Sequence, residues 1–530
     1  MDSRNGVEDR EISVYTGSRV KCGDDIGTVK YVGEVQGYKG IWYGIEWDDP
    51  SRGKHDGSLE GVEYFKTSKP GAGSFVRPNK FSNFSTCADA IKRYYGERED
   101  EVVEVHHKMA INEWKREMKA PFIEMVGFEK IHQKQKLDRL VEVCVHDRNI
   151  NKAGNVWELT PHVRTLDVSR NLFSNWREVI QLTAQLTYLR QLDVSKNRMT
   201  IDMSEDTLVQ LSKNFTNLEK LNISNCDYDW ADILKLSLLF PNISDITAAM
   251  NKITKLSTPQ LTLESLTILR LDCNAIVNWA EVMKLGGLKK LKVLSLNDCL
   301  IENVRFNSME DKVKDFASLE VLFLNRNQIN DWRSVSELDK LQSLKKLYFL
   351  KNPVQETERQ DNGAELIIAK IGNLQMLNGS EITDEERRGS EYLYLNRYGA
   401  EWKVSQSTGD HLTFQLQHCR FQHLVNKYGI PEDSLLVKRT KDTTLTSQLI
   451  EINLQGENGK TLKKKFPATM SVQKLVTLAN RLFSKAGNTG VPKLYYVDTK
   501  MNAEIFLDNS MKDLKYFSVK NGDTIQVRWR

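Results

Sequence analysis

The sequence predicts a multidomain α+β chain: a small β-barrel first, a long repeat solenoid in the middle, and a compact α/β module at the end. Three observations predict it. Glycines crowd residues 1–80, one short apolar phrase recurs eight times between Val163 and Asn352, and residues 448–530 alternate as strands around a single amphipathic helix.

With 530 residues the chain is too long for one core, so three or more domains are expected. The opening stretch, Met1 to Ser13, is charged and holds no apolar run, so no secretory signal is expected. No run reaches the roughly 20 apolar residues of a membrane span. Basic and acidic residues nearly balance (75 and 71, net +4), which argues against nucleic acid as the main partner. Seven cysteines lie scattered without CxxC spacing, which favours core packing over zinc or disulfides and a cytosolic setting. No GxxxxGK[ST], HExxH or GxSxG motif is present and no local grouping of His, Cys or carboxylates stands out, so no catalytic site, cofactor or metal is expected.

In residues 1–80, Ser18–Val20, Gly27–Val32 and Gly44–Trp47 alternate as short strands between Gly and Asp-Pro turns. Glycine density of this kind suits a small barrel with tight corners. Six blocks then carry a resemblance: Gly27-x-Val29, Tyr31-Val32-Gly33, Gly40-x-Trp42-x-Gly44-Ile45-Glu46, Gly53-Lys54-His55-Asp56-Gly57-Ser58, Gly61-x-x-Tyr64-Phe65 and Gly73-x-Phe75-Val76-Arg77. In this order they resemble a CAP-Gly domain. That resemblance implies a grip on acidic C-terminal tails that end in an aromatic residue, as on α-tubulin. It places Trp42 and Phe75 in the pocket lining, and sets Lys54, His55 and Arg77 toward the carboxylates. The loop of Asp56 and Gly57 then offers backbone amides to the terminal carboxylate. His55 departs from the usual Asn, and Tyr38 stands where an aromatic is usual near Gly37.

Residues 81–160 read as a helical connector that ends in the solenoid's N-terminal cap. Ser85 or Thr86 caps a helix through Ala88, Ile91 and Tyr94-Tyr95. Ile111, Trp114 and Met118, then Phe122, Met125 and Val126, then Leu137, Leu140 and Val141 also recur at helical spacing. His106-His107 lacks a third ligand at suitable spacing, and the apolar residues near Trp157 are expected to close the open end of the solenoid.

Residues 161–400 hold the recurring phrase, apolar-x-x-apolar-x-apolar-x-x-Asn or Cys. It runs from Val163-Leu166-Val168-Asn171 to Leu344-Leu347-Phe349-Asn352, with Cys226 and Cys299 replacing Asn twice. Its seven steps average about 26 residues, inside the leucine-rich-repeat range. The alternating apolar pair faces a stacked core, and the small polar residue turns inward to satisfy the bend beneath it. Trp176, Trp230, Trp279 and Trp332 follow the inward residue by four or five positions and read as packing within each repeat. The outward strand positions are polar early (Thr165, Asp167, Ser169, Gln191, Asp193, Ser195) and apolar late (Ile268, Val293, Val321, Phe323, Tyr348, Leu350). An apolar wall of this kind either docks a protein client or is covered by a neighbouring segment of the chain. Leu366 to Asn378 resembles the irregular cap of such arrays.

Residues 401–447 form a mixed, partly helical connector. In residues 448–530, Leu449–Leu454 and Leu462–Phe466 form a hairpin, and Ser471 caps a helix burying Leu475, Leu478, Ala479 and Leu482. Leu494–Val497, Glu504–Leu507 and Thr524–Trp529 complete the strands. This order resembles a ubiquitin-like β-grasp. The stop at Arg530 without Gly-Gly suits an interaction module.

The ordered triple of CAP-Gly, leucine-rich repeats and ubiquitin-like module is similar to the tubulin-folding cofactor E family over nearly the whole chain. That resemblance implies a chaperone that captures α-tubulin, promotes its pairing with β-tubulin and, with cofactor B, pulls heterodimers apart. It implies as partners cofactors B, C and D, an Arf-like small GTPase and, through the ubiquitin-like module, the proteasome. Two alternatives stay open: a microtubule plus-end adaptor, disfavoured by the lack of sustained heptads, and a ubiquitin-pathway adaptor with tubulin as cargo.

Overall fold

The computed structural model describes residues 14–96, 136–259, 262–306, 311–356, 362–430, 449–457, 459–483, 490–498, 503–507, 512–517 and 519–529. The expected helices through Ile111–Met118 and Phe122–Val126, and the His106-His107 pair, lie outside them. The chain divides into two compact units, 1–436 and 437–530.

The first unit begins with a four-stranded antiparallel sheet in the order Arg19–Cys22, Asp25–Val35, Tyr38–Trp47, Gly73–Val76. Its two long strands run past the stretches expected from sequence and close at a turn where Gly37 takes φ +82°. Alternation splits the sheet into two faces. Val20, Val29, Ile45 and Trp47 pack with Phe81 into a small core. Register sets Gly44 opposite both Tyr31 and Phe75, and Trp42 opposite Gly33, so these residues share the other face.

Ser85–Thr86 pairs in parallel with Ile150–Lys152, and Thr86 then caps the helix Cys87–Tyr95, accepting from the Asp89 N–H. Cys87, Ala88, Ala90 and Ile91 of that helix close the end of the solenoid core. Leu137–Leu140 does not continue as the expected helix. It is a 3₁₀ turn followed by the strand Glu142–Cys144, the first parallel strand of the solenoid sheet. The physical reason is a degenerate copy of the repeat: Leu140, Val143 and Val145 are buried as repeat residues, while Val141 faces solvent. Arg148 replaces the inward Asn, which hid the copy. Trp157 is likewise 55% exposed; its neighbour Val156 enters the core instead.

The solenoid sheet has eleven strands, parallel except for the last pair, Met376–Leu377 with Ser380–Glu381. Leu166, Leu192, Leu221, Ile246, Leu269, Leu294, Leu322 and Leu347 stand directly beside one another across the pairs. They form one apolar row, fully inside a core continuous from Cys87 to Leu377. The inward Asn residues hold the bends between repeats. Asn171 Nδ2 donates to the Val145 and Val168 carbonyls, both at 2.9 Å, while its Oδ1 accepts from the Arg148 and Ile150 amides at 2.9 and 3.0 Å. Cys226 makes a weaker version, its thiol 3.5 Å from the Val194 carbonyl, and burial pushes that thiol's pKa up to about 12. The residue before each inward position is left-handed without being Gly: Arg170, Lys196, Asn225, Met250, Cys273, Asp298, Arg326 and Lys351 all have φ between 52° and 59°. Such backbone costs an ordinary side chain about 1 kcal/mol, which the Asn bonds offset.

Asn175, Asp229, Asn278 and Asp331 cap the outer helices that start at Trp176, Trp230, Trp279 and Trp332. The first three indoles are buried; the Trp176 Nε1–H donates to the Tyr228 hydroxyl at 2.8 Å. The array ends in Asn362–Lys370 and a 25-residue helix, Asp384–Thr408, which runs through position 400 without a break. With His411–Gln417 and Phe421–Tyr428 it encloses a separate core of Leu366, Tyr394, Leu395, Phe421 and Leu424.

The second unit is a five-stranded sheet ordered Thr461–Pro467, Leu449–Gly456, Thr524–Arg528, Lys493–Asp498, Ala503–Phe506, with the helix Val472–Phe483 against one face. The first and last strands in sequence run parallel at its centre, which gives the ubiquitin-like β-grasp arrangement. Among the described residues no helix is long and apolar enough to cross a membrane.

Candidate functional site

On the open face of the N-terminal sheet, Phe75 is the hub of an aromatic cluster. Its ring centroid lies 5.1 Å from His55, 5.3 Å from Tyr64, 5.6 Å from Phe65 and 6.2 Å from Tyr31. The cluster needs Gly44, because a side chain there would collide with the Phe65 ring. Gly57, at φ +106°, is required twice over: an L-residue disfavours that backbone, and a Cβ would strike the Phe65 carbonyl. The Gly-Lys-His-Asp-Gly loop is sewn to the neighbouring strand by Lys54 N–H to Gly73 O at 2.7 Å and Gly73 N–H to His55 O at 2.7 Å.

His55 Nδ1 accepts the Gly57 N–H at 3.0 Å, which leaves Nε2 to carry the proton of the neutral ring. Burial lowers the His55 pKa below its ordinary value; neighbouring Lys54 pushes the same way and Asp56 opposes. Asp56 Oδ1 accepts the Ser58 N–H at 3.0 Å, and that bond lowers its pKa. Asp56 therefore braces the turn as a carboxylate. Lys54 is exposed at the rim.

Trp42 and Arg77 form a second patch on the same face. The Arg77 guanidinium lies 3.9 Å over the Trp42 ring and donates to the carbonyls of Ile41, at 3.0 Å, and Lys39. Sequence reading set Arg77 toward an incoming carboxylate; in the structure its donors hold the hairpin and its charge sits on the indole. Tyr38 packs edge-on against Trp42 at 5.9 Å. Tyr31, Tyr64 and Phe65 stand in the motif blocks, yet sequence reading did not assign them to the pocket. Their signal was the alternation that puts Tyr31 beside Gly44.

This β module is docked on the start of the solenoid. Lys21 Nζ lies 2.7 Å from Asp147, and Arg198 lies 3.2 Å from Asp48. Arg170 donates to the Asp24 carbonyl at 3.2 Å. Asp48 also accepts at 2.8 Å from Arg19, whose side chain is buried.

On the solenoid's strand wall, Ile268, Val293, Val321, Phe323 and Tyr348 occupy the outward positions and are half-buried. Phe323 and Tyr348 stack at 4.3 Å with planes 9° apart, and Leu350 beyond them is 49% exposed. Among the described residues, no group of three or more His, Cys, Asp or Glu side chains is placed to hold a metal ion.

An aromatic, glycine-framed face, a leucine-rich-repeat wall and a β-grasp end define a modular chain that opens with a CAP-Gly domain. A CAP-Gly domain family profile matches residues 16–81. Tubulin-specific chaperone E of Danio rerio is 35% identical, covering 97% of this chain and 98% of that one; the Drosophila melanogaster protein of the same name is 36% identical, over 98% and 99%. The solution structure of the C-terminal ubiquitin-like domain of mouse tubulin-specific chaperone e is 31% identical over 18% of this chain and 95% of that domain, with a TM-score of 0.15. The chain belongs to the tubulin-specific chaperone E family.

Proposed function

We propose that this chain is a cytoplasmic tubulin-folding chaperone that captures α-tubulin at two points. The pocket around Phe75 takes the terminal aromatic of the acidic tail. Lys54 and the His55 Nε2–H meet carboxylates at its rim, with the Trp42–Arg77 patch as a further basic wall. The late strand wall, from Ile268 to Leu350, engages the folded body.

One observation carries this reading. The ion pairs Lys21–Asp147 and Arg198–Asp48 seat the pocket-bearing module on the solenoid that bears the wall. Tail capture then presents the tubulin body to the wall at a high effective concentration. A wall-bound form of α-tubulin that cannot hold its β partner gives dissociation, with cofactor B assisting, and the reverse sequence gives assembly with cofactors C and D and an Arf-like small GTPase. The β-grasp unit serves recruitment, to the proteasome among other partners.

The test is size-exclusion chromatography of the purified chain with tubulin heterodimer, with and without the acidic tails and cofactor B. The expected result is a discrete complex holding α-tubulin without β, weakened about tenfold or more by Lys54→Ala with Phe75→Ala. Intact heterodimer eluting apart from the chain, together with co-sedimentation on polymer, would favour a microtubule adaptor instead.

A further inference from the structure

The C-terminal unit differs from the rest of the chain in charge. Residues 449–530 hold 14 Lys and Arg against 7 Asp and Glu, a surplus of 7, whereas the whole chain carries only +4. The remainder is therefore slightly acidic, and the basic surplus is local to the β-grasp.

That surplus has a focus. The strand Thr461–Pro467 is the outermost strand of the sheet, and among the described residues no strand pairs with its outer edge. It carries Lys463, Lys464 and Lys465 in succession, all exposed, while Leu462 and Phe466 anchor the strand to the core. Lysine on an edge strand is a common guard against edge-to-edge aggregation, and one inward-leaning charge of either sign does that job. Three consecutive charges of one sign, in a module with a surplus of 7, exceed it. They cover both faces of the strand, because successive residues alternate.

Register gives the surrounding chemistry. Lys463 stands opposite Asn453, and Lys465 opposite Glu451, which supplies the only carboxylate directly across from the run among the described pairs. The backbone edge offers a ladder of amides and carbonyls to an extended chain, and the lysines offer charge to its side chains on both faces. Nucleic acid and lipid surfaces answer the charge but not the ladder.

We propose that the Thr461–Pro467 edge binds an extended acidic polypeptide as an added strand, with its carboxylates on Lys463, Lys464 and Lys465. This site is separate from the Phe75 pocket and needs no terminal aromatic. It gives the chain two acidic-peptide sites, one at each end.

The experiment uses the full chain with the pocket silenced by Lys54→Ala and Phe75→Ala, and a fluorescent octaglutamate peptide with an amidated C-terminus, read by anisotropy at 50 and 150 mM salt. Binding should persist in the silenced chain and weaken at least tenfold on adding Lys463→Glu, Lys464→Glu and Lys465→Glu. It should also weaken at least tenfold when alternate backbone nitrogens of the peptide are methylated. An unchanged thermal melt of each variant shows that the fold survives; if the triple variant melts early, Lys463→Gln with Lys465→Gln replaces it, with at least a threefold loss expected. No binding by the silenced chain, or no loss in the lysine variants, overturns the proposal. So does equal binding of the methylated peptide, of a thymidine oligonucleotide or of phosphatidylserine vesicles, each of which indicates general polyanion attraction. Because the pocket is silenced throughout, these outcomes are independent of whether the Phe75 pocket takes tails.

Discussion

The early and late repeats of the solenoid share one backbone and present opposite surfaces. In the early half, several outward polar groups are bonded to their own wall. Asp167 Oδ1 accepts from the Ser169 amide and hydroxyl at 2.9 and 2.6 Å, Asp193 from the Ser195 amide at 2.8 Å, and Asn222 donates to Asp193 at 2.6 Å. In the late half those positions become Val321, Phe323, Tyr348 and Leu350, whose side chains gain from any surface that removes them from water. The inward ladder is the same in both. Asn197 Nδ2 donates to the Val168 and Val194 carbonyls at 3.1 and 3.0 Å; Asn327 Nδ2 donates to the Leu296 and Leu324 carbonyls at 2.8 and 3.1 Å. Inward positions are thus constrained by stacking, and outward positions are left to diverge.

Breaking the shared ladder is expected to have the largest effect and to be blind to which half is hit. Asn197→Ala and Asn327→Ala should each cost about 3 kcal/mol, since each strands several buried backbone groups worth about 1 kcal/mol apiece. Urea melts of the two variants should agree within about 1 kcal/mol; a large difference would mean that the halves are not equivalent inside.

The outer surfaces should separate the halves. Phe323→Asp with Tyr348→Asp is expected to weaken tubulin binding at least tenfold with little change in melting temperature. Gln191→Ala in the early half should leave binding unchanged, as read by the same chromatography. Binding that survives the late-half pair would remove the wall from the proposed function.

The late end also carries a buried lysine that titrates well below the ordinary lysine range. Lys370 is buried; it donates to Ser336 Oγ at 2.8 Å and to the Gln417 carbonyl at 3.0 Å, with the Tyr394 ring 5.2 Å away. Burial pulls its pKa down to about 7. Its folded pKa lies below its unfolded one, so above about pH 7 the unfolded chain binds the extra proton. Stability should therefore rise as pH climbs from about 7 toward the ordinary lysine range, at up to about 1.4 kcal/mol per unit. Denaturant melts across that window should lose the rise in Lys370→Met.

The smallest effect belongs to the N-terminal module. His55 has a lowered folded pKa, so it favours the unfolded state when protonated, and its contribution is lost as pH falls through the ordinary histidine range. Protonation must place a proton on Nδ1, where the Gly57 N–H is now accepted. Tail-peptide affinity is thus expected to drop a few-fold on acidification, and His55→Asn should flatten that dependence. An equal drop in the Asn variant would assign the effect elsewhere.

The amino-acid sequence by itself determined the repeats, their inward ladder and the three kinds of module. Each of those is written within a window of about 25 residues, where spacing alone tells inward from outward. Phe75, His55 and Gly57 stand in blocks that resemble a CAP-Gly domain, and the folded module brings them together, with the His55 ring beside Phe75 and accepting the Gly57 N–H. The strand Glu142–Cys144 escaped because Arg148 stands where the inward Asn should be, and Leu137–Val141 by chance matched a helical period. Tertiary structure decided what joins residues far apart. Lys21 meets Asp147 across 126 positions, and Arg198 meets Asp48 across 150. Charges at such separations leave no periodic mark, and any of the chain's many lysines and aspartates could have been the partner. Arg77 was committed to the Trp42 ring for the same reason: only the folded hairpin brings the two together. Local pattern specifies elements, because backbone hydrogen bonding and burial repeat along the chain. Docking between them depends on which surfaces the finished elements expose.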